Sequence, residues 1–512
     1  MENLNLANIR VRIAPSPTGL MHIGNLRTIL YNYLFARHHK GKFLIRIEDT
    51  DQTRLVPGAV ENLLQVLQWA GIENDEGPKL MPDGKLQEIG EFGPYVQSDR
   101  LKIYKKYIDE LLDRGKAYHC FCSKERLEKL REQQTANKQA PKYDNFCRNL
   151  EHSEVQSMIK SGASHVIRFK MPENREVVVK DLIRGNIVVN TKDLDDYVLM
   201  KADGFPTYHF ANVVDDHLMK ITQVMRGEEW IATAPKHVLL YEAFDWQPPQ
   251  FAHLPQILNK NRKKMSKRDG DASVQDFINR GYLKDALINF IALLGWNAGT
   301  EQEIYNLPEL IKQFSLDNVH KAGAIFDTDK LDWINGMYLR KLSVDDFYTA
   351  CLPFLEKQNV LTVADAKIIV SDTGEKMKPA QIKSILSLEQ ARAKRLEEIP
   401  DAIRFFFVGE LEYDCASLIW RKSDKEKTLG YLKQLEKLLK KIKAEDFSAQ
   451  NIEKEVMEYL QANSIDNGSM LWPMRFALSG REKSPGPFEI ASALGKKKAV
   501  ERISAAIERL SK

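Results

Sequence analysis

The residues of this chain best suited to chemistry stand near its beginning. His22 and Gly24 follow a loop, Ala14-Pro15-Ser16-Pro17-Thr18-Gly19, and precede a helical pattern. A helix N-terminus offers unpaired backbone N–H groups and the positive end of its dipole, a ready seat for phosphate. Gly24 lacks a Cβ, so a phosphorylated ligand can come close to the backbone there. A single histidine is more often an ordinary core or surface residue, and it is this context that gives His22 weight. Far downstream lies a basic run, Lys260 to Arg268. On its own such a run reads as a solvated surface. Combined with an upstream phosphate seat it reads as a loop, Asn261 to Gly270, that brings Lys264 and Lys267 over a polyphosphate. Charge gathers on phosphate oxygens as such a bond breaks, and one preorganised donor aimed at it is worth about 10²–10³ in rate.

Local patterns place these residues. Ile9, Val11 and Ile13 alternate with Arg10 and Arg12, as in a short strand. Two prolines and a glycine then end it. Leu26, Ile29, Leu30, Tyr33 and Leu34 share one face of a helix. Its last turn is basic, from Arg37 to Lys40, which suits the dipole, and Gly41 is the expected C-terminal cap. Phe43 to Ile47 reads as a second strand ending in Glu48-Asp49-Thr50-Asp51, and Val60, Leu63, Leu64 and Leu67 mark a second helix. Strand, helix, strand, helix is a parallel α/β unit. Ligands bind beyond the carboxyl ends of such strands, where the loop after Ile13 and the Glu48–Asp51 segment both fall.

Composition bounds the rest. A chain of 512 residues exceeds one core, so two to four domains are expected. With 43% hydrophobic and 29% charged residues, packed cores are expected rather than long disorder. No apolar run is long enough to span a bilayer, and no secretory leader is visible at the N-terminus. Five cysteines, an odd and sparse set, suit a reducing cytoplasm rather than a disulfide framework. A net charge of +4 does not by itself indicate nucleic acid, although a local basic face is compatible with it.

Pro15-Ser16-Pro17-Thr18-Gly19 followed by His22-Ile23-Gly24-Asn25 resembles the His-Ile-Gly-His signature of class I aminoacyl-tRNA synthetases, with Asn25 replacing the last histidine. Lys264-Met265-Ser266-Lys267-Arg268 resembles their second signature, with Arg268 in the final place. Arg46-Ile47-Glu48-Asp49-Thr50-Asp51, the run Tyr208 to His217, and Arg226-Gly227-Glu228-Glu229-Trp230 are similar to the glutamyl branch in its bacterial form. The likeness runs in order from about Ile9 to about Ile507. It implies a Rossmann-like α/β catalytic domain with an insertion, followed by an all-α anticodon-binding domain. It implies a ligase that activates glutamate with ATP and Mg²⁺ and transfers it to tRNA(Glu). Members of the family differ in whether they also charge tRNA(Gln), and the sequence is compatible with either. The resemblance further implies a monomer.

The resemblance also implies residue roles. ATP falls to His22, Gly24, Asn25, Lys264, Met265, Ser266, Lys267 and Arg268, with His22, Lys264 and Lys267 catalytic. Arg12 and Arg226 meet the two carboxylates of glutamate, Ser16 and Glu48 its ammonium, while Tyr208 and Asn212 complete the side-chain pocket. The planar arginine fork suits a carboxylate, and two arginines sharing a pocket are costly without an anionic ligand. For Arg12 alone, a surface ion pair is an equal alternative.

The implied organisation is a catalytic domain in two halves, 1–99 and 208–246, around a connective insertion, 100–207, that faces the acceptor end of tRNA. A stem-contact region, 247–343, and a helical anticodon-binding region, 344–512, follow. Leu432, Leu435, Leu439 and Ile442 line one face of a lysine-rich helix there, and such lysines more often mark a solvated face than an RNA site. Anticodon reading needs aromatics and arginines on one surface, and rough register with the family nominates Arg392. In the insertion, Cys120-Phe121-Cys122 and Cys147 have the spacing of a zinc site found in some members, but Asn149 stands where a histidine is expected. Tyr143, His152 or His119 would have to supply the fourth donor, so a zinc knuckle and a decayed site of free thiols both stand open. The nearest rival, a glutaminyl enzyme, ends in β-barrels, against the helical pattern after about residue 345. A truncated tRNA-modifying paralogue would lack this half. A non-catalytic tRNA-binding relative is disfavoured by the intact His22, Lys264 and Lys267, and a metabolite nucleotidyltransferase leaves the C-terminal half unexplained.

Overall fold

The computed structural model describes residues 8–265, 273–364 and 367–512. The chain forms two compact units, one comprising 1–278 and 284–328, the other 279–283 and 329–512.

The first unit is built on a six-stranded sheet. From one edge the strands run Lys42–Ile45, Arg10–Ile13, Gln223–Gly227, Gln250–Leu254, Glu176–Asp181 and Gly185–Asn190. Neighbours are parallel except the last pair, an antiparallel hairpin. The parallel strands are buried almost throughout, as sheets covered on both faces must be. Helix Ile23–His38 crosses between the first two strands. It is apolar on more than the one expected face: Ile23, Tyr31, Phe35 and Ala36 are buried as well. The additional face is covered from later in the chain, where Tyr31 donates to the carbonyls of Ala292 and Leu294.

The end of this helix corrects the expected cap. Lys40, not Gly41, takes the left-handed conformation, with φ 54°. The Lys40 N–H donates to Arg37 O and the Gly41 N–H to Ala36 O, a Schellman ending shifted by one residue. Gly41 serves close approach instead, since a Cβ there would stand 2.4 Å from the Ile9 carbonyl oxygen.

Within 100–207, strands Ala117–Cys120, Val166–Phe169 and Val198–Met200 form a separate antiparallel sheet, beside which helix Lys124–Ala136 follows its Ser123 cap. The hairpin 176–190 leaves that sheet and extends the catalytic one. Its alternation, Val177 and Val179 inside with Val178 outside, gives it one face for the core.

The second unit is mainly helical around one apolar core that includes Leu432, Leu435, Leu439 and Ile442. It also holds a small antiparallel meander, Leu361–Ala364, Lys367–Val370 and Lys376–Met377, which helical periodicity did not indicate. No helix of the described residues is long and apolar enough to cross a membrane.

Candidate active site

The carboxyl ends of the central strands open into a cavity of about 960 Å³. Arg12, Ser16, His22, Gly24, Asn25, Glu48, Tyr208, Asn212, Arg226, Lys264 and Met265 all line it. These residues are drawn from about half the length of the chain, so their meeting is a product of the fold. Ser266, Lys267 and Arg268 lie outside the described residues.

His22 is the N-cap of helix Ile23–His38, with extended backbone, and its Nδ1 accepts from the Gly24 N–H at 3.0 Å. In the neutral ring the proton therefore sits on Nε2, where it can be donated. Gly24 tolerates nothing larger without adjustment, since a Cβ would stand 3.3 Å from His22 Nδ1. Both flanks of the second signature are pinned nearby. Lys264 bridges Leu258, while Ser273 bridges His22 and the Val274 N–H donates to Met21 O at 3.0 Å. Lys264 is exposed toward solvent, as a group that closes on a ligand must be.

Behind one wall lies a buried ion network. Arg12 forks onto Asp216 at 3.0 Å through both Nε and Nη2, and Nη2 lies 3.4 Å from Asn212 Oδ1. Arg46, fully buried, reaches Asp216 at 2.8 Å, Glu48 at 3.1 Å and Asp215 at 3.5 Å. Arg100 donates to Asp215 at 2.7 Å. Burial opposes ionisation of Asp216, but the Arg12 and Arg46 guanidiniums outweigh it and hold its carboxyl below the usual range. At Glu48 burial wins over Arg46 and Arg12 and pushes the carboxyl up. Glu48 Oε1 accepts from Asn212 Nδ2 at 2.8 Å and from Arg46. Arg12 is thus largely engaged by the protein, and Nη1 is its donor without a hydrogen bond among the described residues. Ser16 lies exposed on the loop at the cavity rim.

The opposite wall is built differently. Arg226 donates from Nε to His253 Nε2 at 3.1 Å, from Nη1 to the Tyr208 hydroxyl at 2.9 Å and from Nη2 to the Trp230 carbonyl at 3.3 Å. It has no ion-pair partner among the described residues. His237 approaches Arg226 at 3.5 Å and His209 at 3.1 Å. Burial, then the charge of Arg226, keeps His237 well below its ordinary value. Burial and Lys236 push His209 down to about 4. Asp181, His237 and His253 lie outside the motifs quoted above, and Arg46, His209, Asp215 and Asp216 lie within them without a role that the sequence assigns. The available signal was a charged residue inside otherwise apolar strands, as at Arg46.

In the insertion, the Cys120, Cys122 and Cys147 sulfurs all lie within 4.8 Å of one another, with Cys122 and Cys147 at 3.5 Å. The Tyr143 hydroxyl lies 3.3 Å from Cys120 Sγ and 3.5 Å from Cys122 Sγ, and it accepts from the Cys147 N–H at 3.0 Å. Of the three fourth donors considered, Tyr143 is the one brought to the sulfurs. His119 packs instead with Phe121 and His165, and His152 begins an exposed helix turn. In the second unit, Arg392 is exposed and ion-paired to Glu389, so part of its fork is already occupied. Trp420, Trp472 and Arg475 form a half-buried cluster there, with the Trp rings 5.2 Å apart and Arg475 5.0 Å from the Trp472 ring centre.

Comparison with known proteins agrees with this geometry. Residues 8–333 match the family described as tRNA synthetases class I (E and Q), catalytic domain, and residues 346–507 match the anticodon binding domain. A glutamate–tRNA ligase of Clostridioides difficile is 44% identical over 501 residues, covering 97% of this chain and 98% of its own. One from Finegoldia magna is 44% identical over 511 residues, covering 98% and 100%. The crystal structure of a glutamate tRNA ligase from Elizabethkingia meningosepticum in complex with its amino acid superposes with a TM-score of 0.86 at 37% identity, covering 98% of this chain and 100% of that one. With a phosphate seat, a charge-lined cavity and full-length relatives in agreement, the chain belongs to the glutamate–tRNA ligase family of class I aminoacyl-tRNA synthetases.

Proposed function

We propose that this chain activates glutamate with ATP, taken as its magnesium complex, and then transfers glutamate to the 3′-terminal adenosine of tRNA(Glu). The observation that carries the reading is one cavity holding both a phosphate seat at His22 and an arginine, Arg226, that has no carboxylate partner among the described residues. In the first step an oxygen of the α-carboxylate attacks the α-phosphorus and pyrophosphate leaves. Charge grows on the phosphate oxygens, where His22 Nε2–H, the helix N-terminus, Lys264 and Lys267 stabilise it. Gly24, Asn25, Met265, Ser266 and Arg268 shape the nucleotide seat. In the second step a terminal ribose hydroxyl attacks the activated carbonyl and AMP leaves. Arg226 and Tyr208 hold the side-chain carboxylate. Asn212 orients Glu48, which with Ser16 meets the ammonium, and Arg12 directs its remaining nitrogen to the other carboxylate. The sheet within 100–207 faces the acceptor end, and the second unit reads the anticodon with Arg392 and the Trp472–Arg475 cluster. The enzyme works as a monomer in the cytoplasm.

Zinc fits the three thiols and the Tyr143 hydroxyl, a set of four donors already drawn together. Its part is structural, tying the strand end at Cys120 to the loop at Cys147. A tyrosine oxygen is a weaker ligand than a fourth thiolate, which makes this site more easily stripped than a four-cysteine one.

The test is glutamate-dependent pyrophosphate exchange with and without tRNA, followed by aminoacylation of purified tRNA(Glu) and tRNA(Gln). Exchange with glutamate that requires tRNA is expected. Equal exchange with glutamine, or none with any amino acid when tRNA is present, overturns the reading. Charging of tRNA(Gln) alongside tRNA(Glu) decides the breadth of tRNA choice.

A further inference from the structure

We infer that Asp181 and His253 are positioning residues for Arg226, holding its guanidinium through neutral atoms so that its full charge is left for the side-chain carboxylate of the amino acid. The inference rests on the reading of the cavity as a glutamate site and says how that site selects an acid over its amide.

The atoms that can donate fix the tautomer of His253. Arginine Nε carries a hydrogen and cannot accept. His253 Nε2, 3.1 Å away, must therefore present its lone pair. The proton of the ring then belongs on Nδ1, which lies 2.6 Å from Asp181 Oδ2. Asp181 is itself held from the main chain: Oδ2 accepts the His253 N–H at 3.0 Å, and Oδ1 accepts the N–H groups of Ile183 and Arg184 at 2.9 and 2.8 Å. Strand pairing brings the two together, because Asp181 sits opposite Phe251 in parallel register, two residues before His253. A second carboxylate oxygen could not replace His253 without neutralising Arg226, and a protonated imidazole would repel it. Burial holds the His253 ring below its ordinary value while Asp181 opposes, and the balance keeps it neutral.

The two walls of the cavity differ in how their cations are held. On the other wall, the cations Arg12, Arg46 and Arg100 are matched by the anions Glu48, Asp215 and Asp216. Arg226 touches no carboxylate among the described residues: it is anchored by an imidazole nitrogen, a phenol and a carbonyl, and Asp181 stands behind the neutral imidazole rather than against the guanidinium. The ammonium and α-carboxylate of an amino acid cancel each other. A substrate with a side-chain carboxylate gives Arg226 a direct ion pair, whereas glutamine leaves it buried without one.

The experiment compares His253→Leu, His253→Gln and His253→Glu with Arg226→Ala, all in the full chain with tRNA present, after thermal melting has shown which variants fold. Glutamate KM, ATP KM, kcat and the ratio of kcat/KM for glutamate over glutamine are measured. A glutamine oxygen can accept from Nε without adding charge, so His253→Gln is expected to stay within about threefold of wild type in glutamate KM. His253→Leu, which offers no acceptor, is expected to raise glutamate KM about tenfold or more, with ATP KM little changed, because side-chain binding is common to ground and transition states. His253→Glu is expected to raise it similarly and to narrow the glutamate-over-glutamine ratio about tenfold. Wild-type glutamate KM in His253→Leu overturns the positioning role. Should that variant not fold, His253→Gln and His253→Glu giving the same KM and the same ratio overturns it. If Arg226→Ala itself keeps wild-type glutamate kinetics, the reading of Arg226 as the carboxylate ligand fails first, and the two failures are told apart.

Discussion

At the residue scale, the same side chain does opposite things in different surroundings. Arg12 and Arg226 stand in the sequence as equivalent carboxylate ligands, yet one is forked onto Asp216 and the other is held by neutral acceptors. The motifs were legible because they resemble the family's signatures and stand in the family's order along the chain. Their partners were not, because Asp181, His237 and His253 act through tertiary neighbours that no local spacing reveals. The buried histidines have a consequence for stability. His209 is held down to about 4 by burial and Lys236, and His237 and His253 are also lowered. In the unfolded chain each titrates near 6.5, so between that value and the folded one the unfolded state binds more protons. Stability contributed by these neutral rings is complete above about pH 6.5 and is lost as pH falls toward their folded values. His209 alone accounts for about 2 kcal/mol between roughly pH 7.5 and 5. Urea unfolding midpoints across that range should fall for the wild type and fall by less in His209→Gln. Parallel pH dependence in the two proteins would show that the ring is not held neutral by the fold.

At the element scale, helices and strands followed the apolar periodicity, and the departures have local physical causes. The helix after the signature loop ends one residue earlier than its glycine suggested, because close packing against the Ile9 backbone already claims Gly41. The hairpin 176–190 falls by sequence within 100–207, the span expected to be an insertion, but joins the six-stranded sheet, since a strand's partner depends on its edge hydrogen bonds and not on its position in the chain. The cysteine cluster was legible as spacing, whereas its neighbour was not, because several candidate donors lay within reach of the chain and it is the fold that brings the Tyr143 hydroxyl to the sulfurs. Purified protein is expected to carry one zinc per chain after dialysis, and a chelator should lower its melting temperature. Cys147→Ser should lose the metal and melt earlier, with exchange activity reduced less than aminoacylation, since the knuckle lies in the sheet assigned to the acceptor end. Metal-free protein with an unaltered melting curve and full activity would show instead that the three cysteines are plain thiols.

At the scale of the whole molecule, the division of labour between two compact units calls for separate kinetic signatures. The described residues proposed above to hold ATP and glutamate line a cavity of the first unit, whereas the aromatic and arginine cluster Trp420, Trp472 and Arg475 lies in the second. The net charge of +4 is too small to bind RNA by bulk attraction, so recognition has to come from local surfaces such as this one. Unstacked bases are held by aromatic rings and arginine planes, each stacking contact being worth about 1–3 kcal/mol. Arg475 lies over the Trp472 ring while its own neighbour Met474 is buried in the core, which keeps the guanidinium on a rigid helix rather than on a loop. Arg475→Ala is therefore expected to raise the KM for tRNA(Glu) about tenfold or more, with the KM values for ATP and glutamate unchanged at saturating tRNA. Removing one cation that touches RNA should also flatten the dependence of tRNA affinity on salt. A variant with a wild-type tRNA KM and an unchanged salt slope would place anticodon reading elsewhere on the helical unit. Impaired glutamate kinetics at saturating tRNA would show instead that this cluster governs the catalytic cavity and not tRNA affinity alone.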